Sequence, residues 1–230
     1  MSGIEYMIIA MVKIGFIGGT GIEGKGLALR FAQAGASVTI GSRSLERAVA
    51  AAGQYNQILG KPLMRGLANR DMVADSEFVF LTVKFEQAAD AIQSCRDVFR
   101  SGQILVDVTV PVKFEKGQPQ YLDQEGGFSG SELISRLLPS EVPVVCAFKT
   151  LPAKLLADIG TDLECDEFVC GDSAEARRRA IELARVIPAL RPLDVGPLRM
   201  ARVLERMTVL AIQLNRLNRK DGARYRVVGV

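Results

Sequence analysis

Val12–Ile17 is a short apolar run that breaks into Gly18-Gly19-Thr20-Gly21-Ile22-Glu23-Gly24-Lys25-Gly26. Helical spacing resumes at once over Ile22–Ala34 and stops at Gly35, a natural C-terminal cap. An apolar strand, a glycine turn and a helix in immediate succession point to a βα unit, although the glycine loop alone is shared with many folds. Within the turn, Gly19-x-Gly21-x-x-Gly24 has the spacing of a dinucleotide cradle. The first glycine permits the tight turn and the second lets the backbone approach a pyrophosphate. The third lets the helix pack closely on the strand. The helix N-terminus adds unpaired N–H groups and a partial positive charge for the phosphates. A purely structural glycine turn is the plain alternative. The strand before and the helix after favour the nucleotide.

The rest of the chain alternates strands and helices, which predicts a parallel sheet with helices on both faces. Strands are expected at Ser37–Ile40, Pro62–Gly66, Glu77–Val83, Gln103–Val108, Val142–Phe148, Glu167–Cys170 and near Pro192–Val195. Helices are expected at Leu45–Leu59, Gln87–Phe99, Ser131–Leu138, near Ala153, at Ala174–Ile187 and at Arg199–Leu217. Pro111–Gly130 reads as a long loop, of a length that is usually functional or disordered. The fold class is α/β: a Rossmann-type doubly wound parallel sheet with a small C-terminal α/β cap. The expected division is an extension at 1–10, a dinucleotide-binding domain at 11–150 and a smaller domain at 151–230.

The end of the second strand decides which dinucleotide fits. An NAD site usually places Asp or Glu there for the ribose hydroxyls. This strand ends Ile40-Gly41-Ser42-Arg43-Ser44, with no acid at the tip. Ser42 can donate to a phosphate oxygen, and Arg43 can fork onto it or stack on the adenine. Arg47, four residues on, can reach the same face. The set attracts a 2′-phosphate, so NADP(H) is expected over NAD(H). Solvated arginines at a helix start are the alternative.

The chain contains no histidine, which removes Ser-His-Asp and Cys-His nucleophiles and every His-ligated metal. No tyrosine has lysine four places on, so the short-chain dehydrogenase acid is absent too. No cysteine pair has C-x-x-C spacing, and the four thiols read as small core residues of a reduced, cytoplasmic protein. The N-terminus does not resemble a secretory signal, and no run of about 18 apolar residues could span a membrane. Residues 199–230 carry eight basic and two acidic side chains, but no interleaved aromatics, so nucleic acid is not the expected partner. What suits a site without imidazole is hydride passing directly between two stacked ring cofactors. The protein then supplies orientation and electrostatics rather than an acid or base.

The residues together resemble the coenzyme F420-dependent NADP reductases. The likeness rests on Gly18-Gly19-Thr20-Gly21, Gly24-Lys25-Gly26-Leu27-Ala28 and Gly41-Ser42-Arg43. It continues in Cys170-Gly171-Asp172, in Leu190 to Leu198 (LRPLDVGPL), and in the helix bearing Arg202, Glu205 and Thr208. It spans nearly the whole chain from about Met11. The resemblance implies hydride transfer between NADP and the deazaflavin F420, and a homodimer. It puts Thr20, Ser42, Arg43 and Arg47 at the 2′-phosphate end. Leu81-Thr82-Val83 and the turn from Val108 to Pro111 would flank the nicotinamide, and Ala147–Ala153 would line the deazaflavin pocket.

Lys149 stands where the family more often has histidine, and Lys84-Phe85-Glu86 departs from a Pro-Trp-Glu-like form. Lys149 could attract an anionic deazaflavin, mark another acceptor, or be a surface lysine. The alternative functions are an NADPH-dependent reductase of a flavin, ferric chelate or other acceptor, and a non-catalytic NADP-binding regulator. The last helix presents Met200, Val203, Met207, Leu210, Leu214 and Leu217 as one apolar stripe. It either packs on its own sheet or forms a subunit seam.

Overall fold

A computed structural model describes residues 12–230. The extension expected at 1–10 lies outside them. Ten strands are described: β1 (Lys13–Ile17), β2 (Ser37–Ser42), β3 (Met64–Ala68), β4 (Phe78–Leu81), β5 (Ile104–Asp107), β6 (Val112–Glu115), β7 (Gln118–Tyr121), β8 (Val144–Cys146), β9 (Cys165–Gly171) and β10 (Leu190–Asp194). The helices are α1 (Ile22–Gln33), α2 (Leu45–Leu59), α3 (Asn69–Asp75), α4 (Phe85–Gln93), α5 (Gly130–Ser135), α6 (Ala153–Ala157), α7 (Ala174–Ala184) and α8 (Ala201–Asn218).

Eight strands form one sheet in the order β10-β9-β8-β5-β4-β1-β2-β3. From β1 the chain winds one way through β2 and β3, then returns to place β4, β5 and β8 on the other side. All six are parallel, and β9 pairs antiparallel with β8. The strand order reverses between β1 and β4. A crevice opens at such a point above the carboxyl ends of the strands, where open α/β sheets bind ligands. Residues after 150 do not form a separate sheet: β9 and β10 extend the same one at its far edge.

Strand β4 shows why the sheet is buried on both sides. Phe78 and Phe80 join one core with Phe16, Phe31 and Phe148, while Val79 and Leu81 join the opposite core with Ile17, Met72 and Ile92. Successive residues of a strand point to opposite faces, so a strand covered on both sides must be apolar throughout. Phe16 stacks on Phe80 with ring centroids 4.9 Å apart. Each such buried ring contributes about 1.5–3 kcal/mol relative to exposure.

Helix α2 has the ends expected of it, because both are locally encoded. Ser44 accepts from the Arg47 N–H, and Gly60 closes the helix with φ of 65°. Two segments differ from expectation. The expected loop at 111–130 contains the β6–β7 hairpin, whose turn places Lys116 and Gly117 at positive φ, followed by a single 3-10 turn at 125–127. Asn69–Asp75 forms an unexpected helix. The stripe on α8 divides. Met200 and Met207 pack against the core beside buried Leu204, whereas Val203, Leu210, Leu214 and Leu217 are exposed.

Candidate active site

The glycine turn hugs the end of β1. Gly18 takes φ of +79°, a left-handed conformation that suits glycine. The third glycine of the motif is sterically required: a Cβ on Gly24 would lie 2.8 Å from Gly19 Cα and 2.8 Å from Thr82 Oγ1. The turn is tied down on both sides. Thr82 Oγ1 donates to Ile17 O (2.9 Å), and the buried Tyr55 hydroxyl donates to Gly19 O (3.1 Å). Gly21 is the N-cap of α1 and receives no side-chain cap, so the first turn of α1 keeps donors for an anion.

At the tip of β2, Ser42 is buried and accepts from the Ser44 N–H at 3.3 Å, while Arg43 and Arg47 are exposed. Asn69 sits beside them, 7% exposed, and its Oδ1 has no partner among the described residues. A Cβ on Gly41 would lie 2.8 Å from that oxygen. Asn69 was not evident from sequence because the helix it opens was not.

A cleft of about 880 Å³ opens at the switch point, a size that suits a pair of cofactor rings. Gly21, Ile22, Thr82, Val83, Val108 and Lys149 line it, as sequence suggested. Leu81 and Ala147 do not; they are core residues, 0% and 1% exposed. Gly19, Thr20, Gly24 and Pro111 lie outside the lining, as do Ser42, Arg43 and Arg47. The opposite wall comes from the chain's end: Thr208, Ala211, Ile212 and Asn215 of α8, then Asp221 and Ala223. Buried Thr150 also faces the cleft, and its hydroxyl has no partner among the described residues.

Lys149 is not a surface residue, being 3% exposed. Its ammonium donates to Asp107 Oδ2 (2.7 Å) and to Thr109 O, and lies 3.7 Å from Glu205 Oε1. Burial alone would lower its pKa, but the charges around it, Asp107 first, outweigh that and hold it above the ordinary lysine value. The carboxylates are satisfied in turn. Asp107 Oδ1 accepts from Thr109 N and Oγ1, and Oδ2 accepts from Ser131 Oγ (2.6 Å). Glu205 accepts from the Gly130 and Ser131 N–H groups at the start of α5 and from the Tyr121 hydroxyl (2.7 Å). Burial and that carboxylate hold the Tyr121 phenol well above its usual pKa. The network joins β5, β7, α5 and α8 beneath the cleft. Its positive charge is already matched inside the protein.

Arg30 fixes the neighbouring wall. Its guanidinium, within α1, donates to Leu156 O, Leu155 O, Asp158 O and Thr161 O at 2.8–2.9 Å. These carbonyls lie at and beyond the C-terminal end of α6, where a cation also meets the helix dipole. Gly26 permits the approach, since its Cβ would lie 2.6 Å from Leu156 Cβ.

Among the described residues no group of three His, Cys, Asp or Glu side chains could hold a metal ion, and no helix is long and apolar enough to cross a membrane. All four cysteines are buried and unpaired.

Comparison with known proteins identifies the family. The family model for NADP oxidoreductases, coenzyme F420-dependent, matches residues 13–111. The F420-dependent NADP reductase of Methanothermobacter thermautotrophicus is 37% identical over 96% of this chain and 97% of its own. A crystal structure of a candidate F420-dependent NADP reductase from Arthrobacter superposes with a TM-score of 0.80 at 27% identity. It covers 94% of this chain and 99% of that one. The rat metalloreductase STEAP3 is 31% identical over 84% of this chain, but that match takes in 36% of STEAP3. The chain belongs to the coenzyme F420-dependent NADP oxidoreductase family.

Proposed function

We propose that this protein transfers hydride between NADP(H) and the deazaflavin coenzyme F420. The observation that carries the reading is a single cleft that begins at the uncapped N-terminus of α1 and ends at the Lys149–Lys154 segment. The phosphate end of one cofactor and the ring of another therefore share one cavity. The glycine turn at Gly19, Gly21 and Gly24 takes the pyrophosphate. Thr20, Ser42, Arg43 and Arg47 take the 2′-phosphate; two exposed guanidiniums beside a buried serine suit a doubly charged ester. The nicotinamide lies against Thr82, Val83 and Val108, and the deazaflavin lies against the segment that starts at Lys149. Val83, Val108, Leu151, Pro152 and Ile212 give the rings apolar walls and exclude water. The free Thr150 hydroxyl can fix one polar edge. Stacking at roughly 3–3.5 Å then lets hydride pass from ring to ring.

The reading includes a cytoplasmic homodimer. Val203, Leu210, Leu214 and Leu217 leave one apolar strip of α8 uncovered, which a second copy would bury. The functional test is optical: protein, NADPH and F420 are mixed and the deazaflavin absorbance is followed. Bleaching that depends on NADPH supports the reading. Turnover of a ferric chelate or free flavin without F420 bleaching overturns it.

A further inference from the structure

Arg191-Pro192-Leu193-Asp194 lies in β10, at the edge of the sheet and outside the cleft lining. Binding of the two cofactors gives this segment no task. Its charged groups nevertheless hold both ends of the cleft's far wall.

The near end is fixed before α8 begins. Asp194 Oδ1 accepts from the Gly196 N–H (2.8 Å), and Asp172 Oδ1 accepts from the Leu198 N–H (2.9 Å). Glu205 then ties α8 to the start of α5, and the Thr208 hydroxyl donates to Lys149 O. Past Thr208 the wall runs through Ala211, Ile212 and Asn215 into residues 219–230, a strap without helix or strand. The strap gives Asp221 and Ala223 to the cleft. Asp221 pairs with Lys154 (2.7 Å), which places the strap at the end of the cleft formed by the Lys149–Lys154 segment. It also leans on α8: the Ala223 N–H donates to Asn215 Oδ1 (2.8 Å) and the Tyr225 hydroxyl to Met207 O (2.6 Å).

The far end is tied to Asp166. This residue of β9 is 1% exposed and shares its face with Phe168 and Cys170, the side on which α8 packs. Its neighbour Glu167 turns to the other face and accepts from the Phe148 N–H. The Asp166 N–H donates to Tyr225 O (2.9 Å), and Asp166 Oδ2 accepts from the Val227 N–H (2.6 Å). Arg191 completes the grip. It donates from Nε to Asp166 Oδ1 (2.7 Å), from Nη2 to Oδ2 (2.8 Å), and from Nη2 to Val227 O (2.6 Å). Such a two-pronged grip uses the planar fork of arginine, which lysine lacks.

Resting on the hydride-transfer reading above, we propose that Asp166 and Arg191 are positioning residues for the second substrate, F420. They clamp the strap that closes the ring end of the cleft, and they do so without lining it. The phosphate turn is tied instead to Tyr55 and Thr82, so the clamp bears on one cofactor and spares the other. A strap docked for only about a tenth of the time would cut the apparent affinity for F420 about 10-fold. Bound F420 would pull the wall back into place, so turnover at saturation would survive.

Asp166→Asn tests this. The change is nearly isosteric, and it strands no buried charge because the Arg191 side chain is 41% exposed. The KM for F420 should rise about 10-fold, with kcat and the NADPH affinity measured by titration little changed. Trypsin should cut faster at Arg224 and Arg226, and saturating F420 should slow the cut. Arg191→Lys, which keeps the charge and loses the fork, should fall between wild type and Asp166→Asn. Tyr225→Phe keeps the ring and loses only the bond to Met207 O, so it should shift KM and cleavage the same way by less. If Asp166→Asn and Tyr225→Phe keep the wild-type KM for F420, or NADPH affinity falls in step with it, the clamp is refuted while F420 bleaching still stands. If wild type never bleaches F420, the hydride-transfer reading fails and takes this inference with it.

Discussion

Replacing Lys149 with methionine should unfold the protein at markedly lower temperature, whatever it does to turnover. The side chain is nearly isosteric, so packing is largely kept. What changes is charge: Asp107 and Glu205, both fully buried, lose the ammonium at 2.7 and 3.7 Å. Breaking a buried ion pair by removing one partner typically costs about 3–5 kcal/mol, because the remaining charge is stranded. For a chain of this size each kcal/mol moves Tm by about 2–4 °C, so the expected drop is roughly 6–20 °C. Thermal denaturation followed by circular dichroism measures it. The deficit should be flat from pH 6 to 9. The folded pKa of Lys149 lies above its ordinary 10.5, so its stabilisation is fully present below that value and declines only at higher pH. Adding Asp107→Asn should recover part of the loss, with an interaction energy of about 1–3 kcal/mol in the double-mutant cycle. A Lys149→Met protein as stable as wild type, or a strictly additive cycle, would refute the network.

Arg43→Ala should weaken NADPH binding by about 10–100-fold, the worth of one charge-assisted contact, and change NADH binding far less. Isothermal titration with both nucleotides measures the difference, and equal losses would remove the 2′-phosphate role. Gly24→Ala should abolish nucleotide binding and cost about 1–3 kcal/mol in denaturant titration, since its Cβ would press on Gly19 and Thr82. Glu167→Gln should gain on wild type as pH rises from 5 to 8. Glu167 keeps its proton to about 8 when folded but releases it near 4.5 when unfolded, so wild-type stability falls through that window by up to about 1.4 kcal/mol per pH unit. Chemical denaturation at pH 5 and 8 checks the sign. Leu210→Lys with Leu214→Lys should turn a dimer into a monomer in analytical ultracentrifugation if α8 is the seam.

The parts that were legible from sequence are those written within one or two turns of chain. The strand, glycine turn and helix at 12–34 carry their signals side by side, and α2 announces both ends with Ser44 and Gly60. Helix α3 was missed because seven residues without a side-chain cap show no period. The β6–β7 hairpin was missed because its strands are four residues long and mostly exposed. Its Lys116-Gly117 turn between alternating Val112, Phe114 and Tyr121 was the available signal. The buried network could not be seen. Lys149 lies 42 residues from Asp107, and Glu205 lies 84 residues from Tyr121. Only the fold brings them together. Glu167 hides for a related reason: an acid inside a strand reads as an outward-facing residue until β9 is found to be covered on both sides.

The cleft has one wall made at the beginning of the chain and another at its end, from Thr208 to Ala223. A polypeptide growing from the ribosome can therefore shape its phosphate turn early, yet the ring cavity has no far side until α8 has left the exit tunnel and docked. Domains fold from the N-terminus during synthesis at about 5–20 residues per second. A nascent chain would thus pass through an interval in which a dinucleotide could be grasped while its reduced ring still faced water.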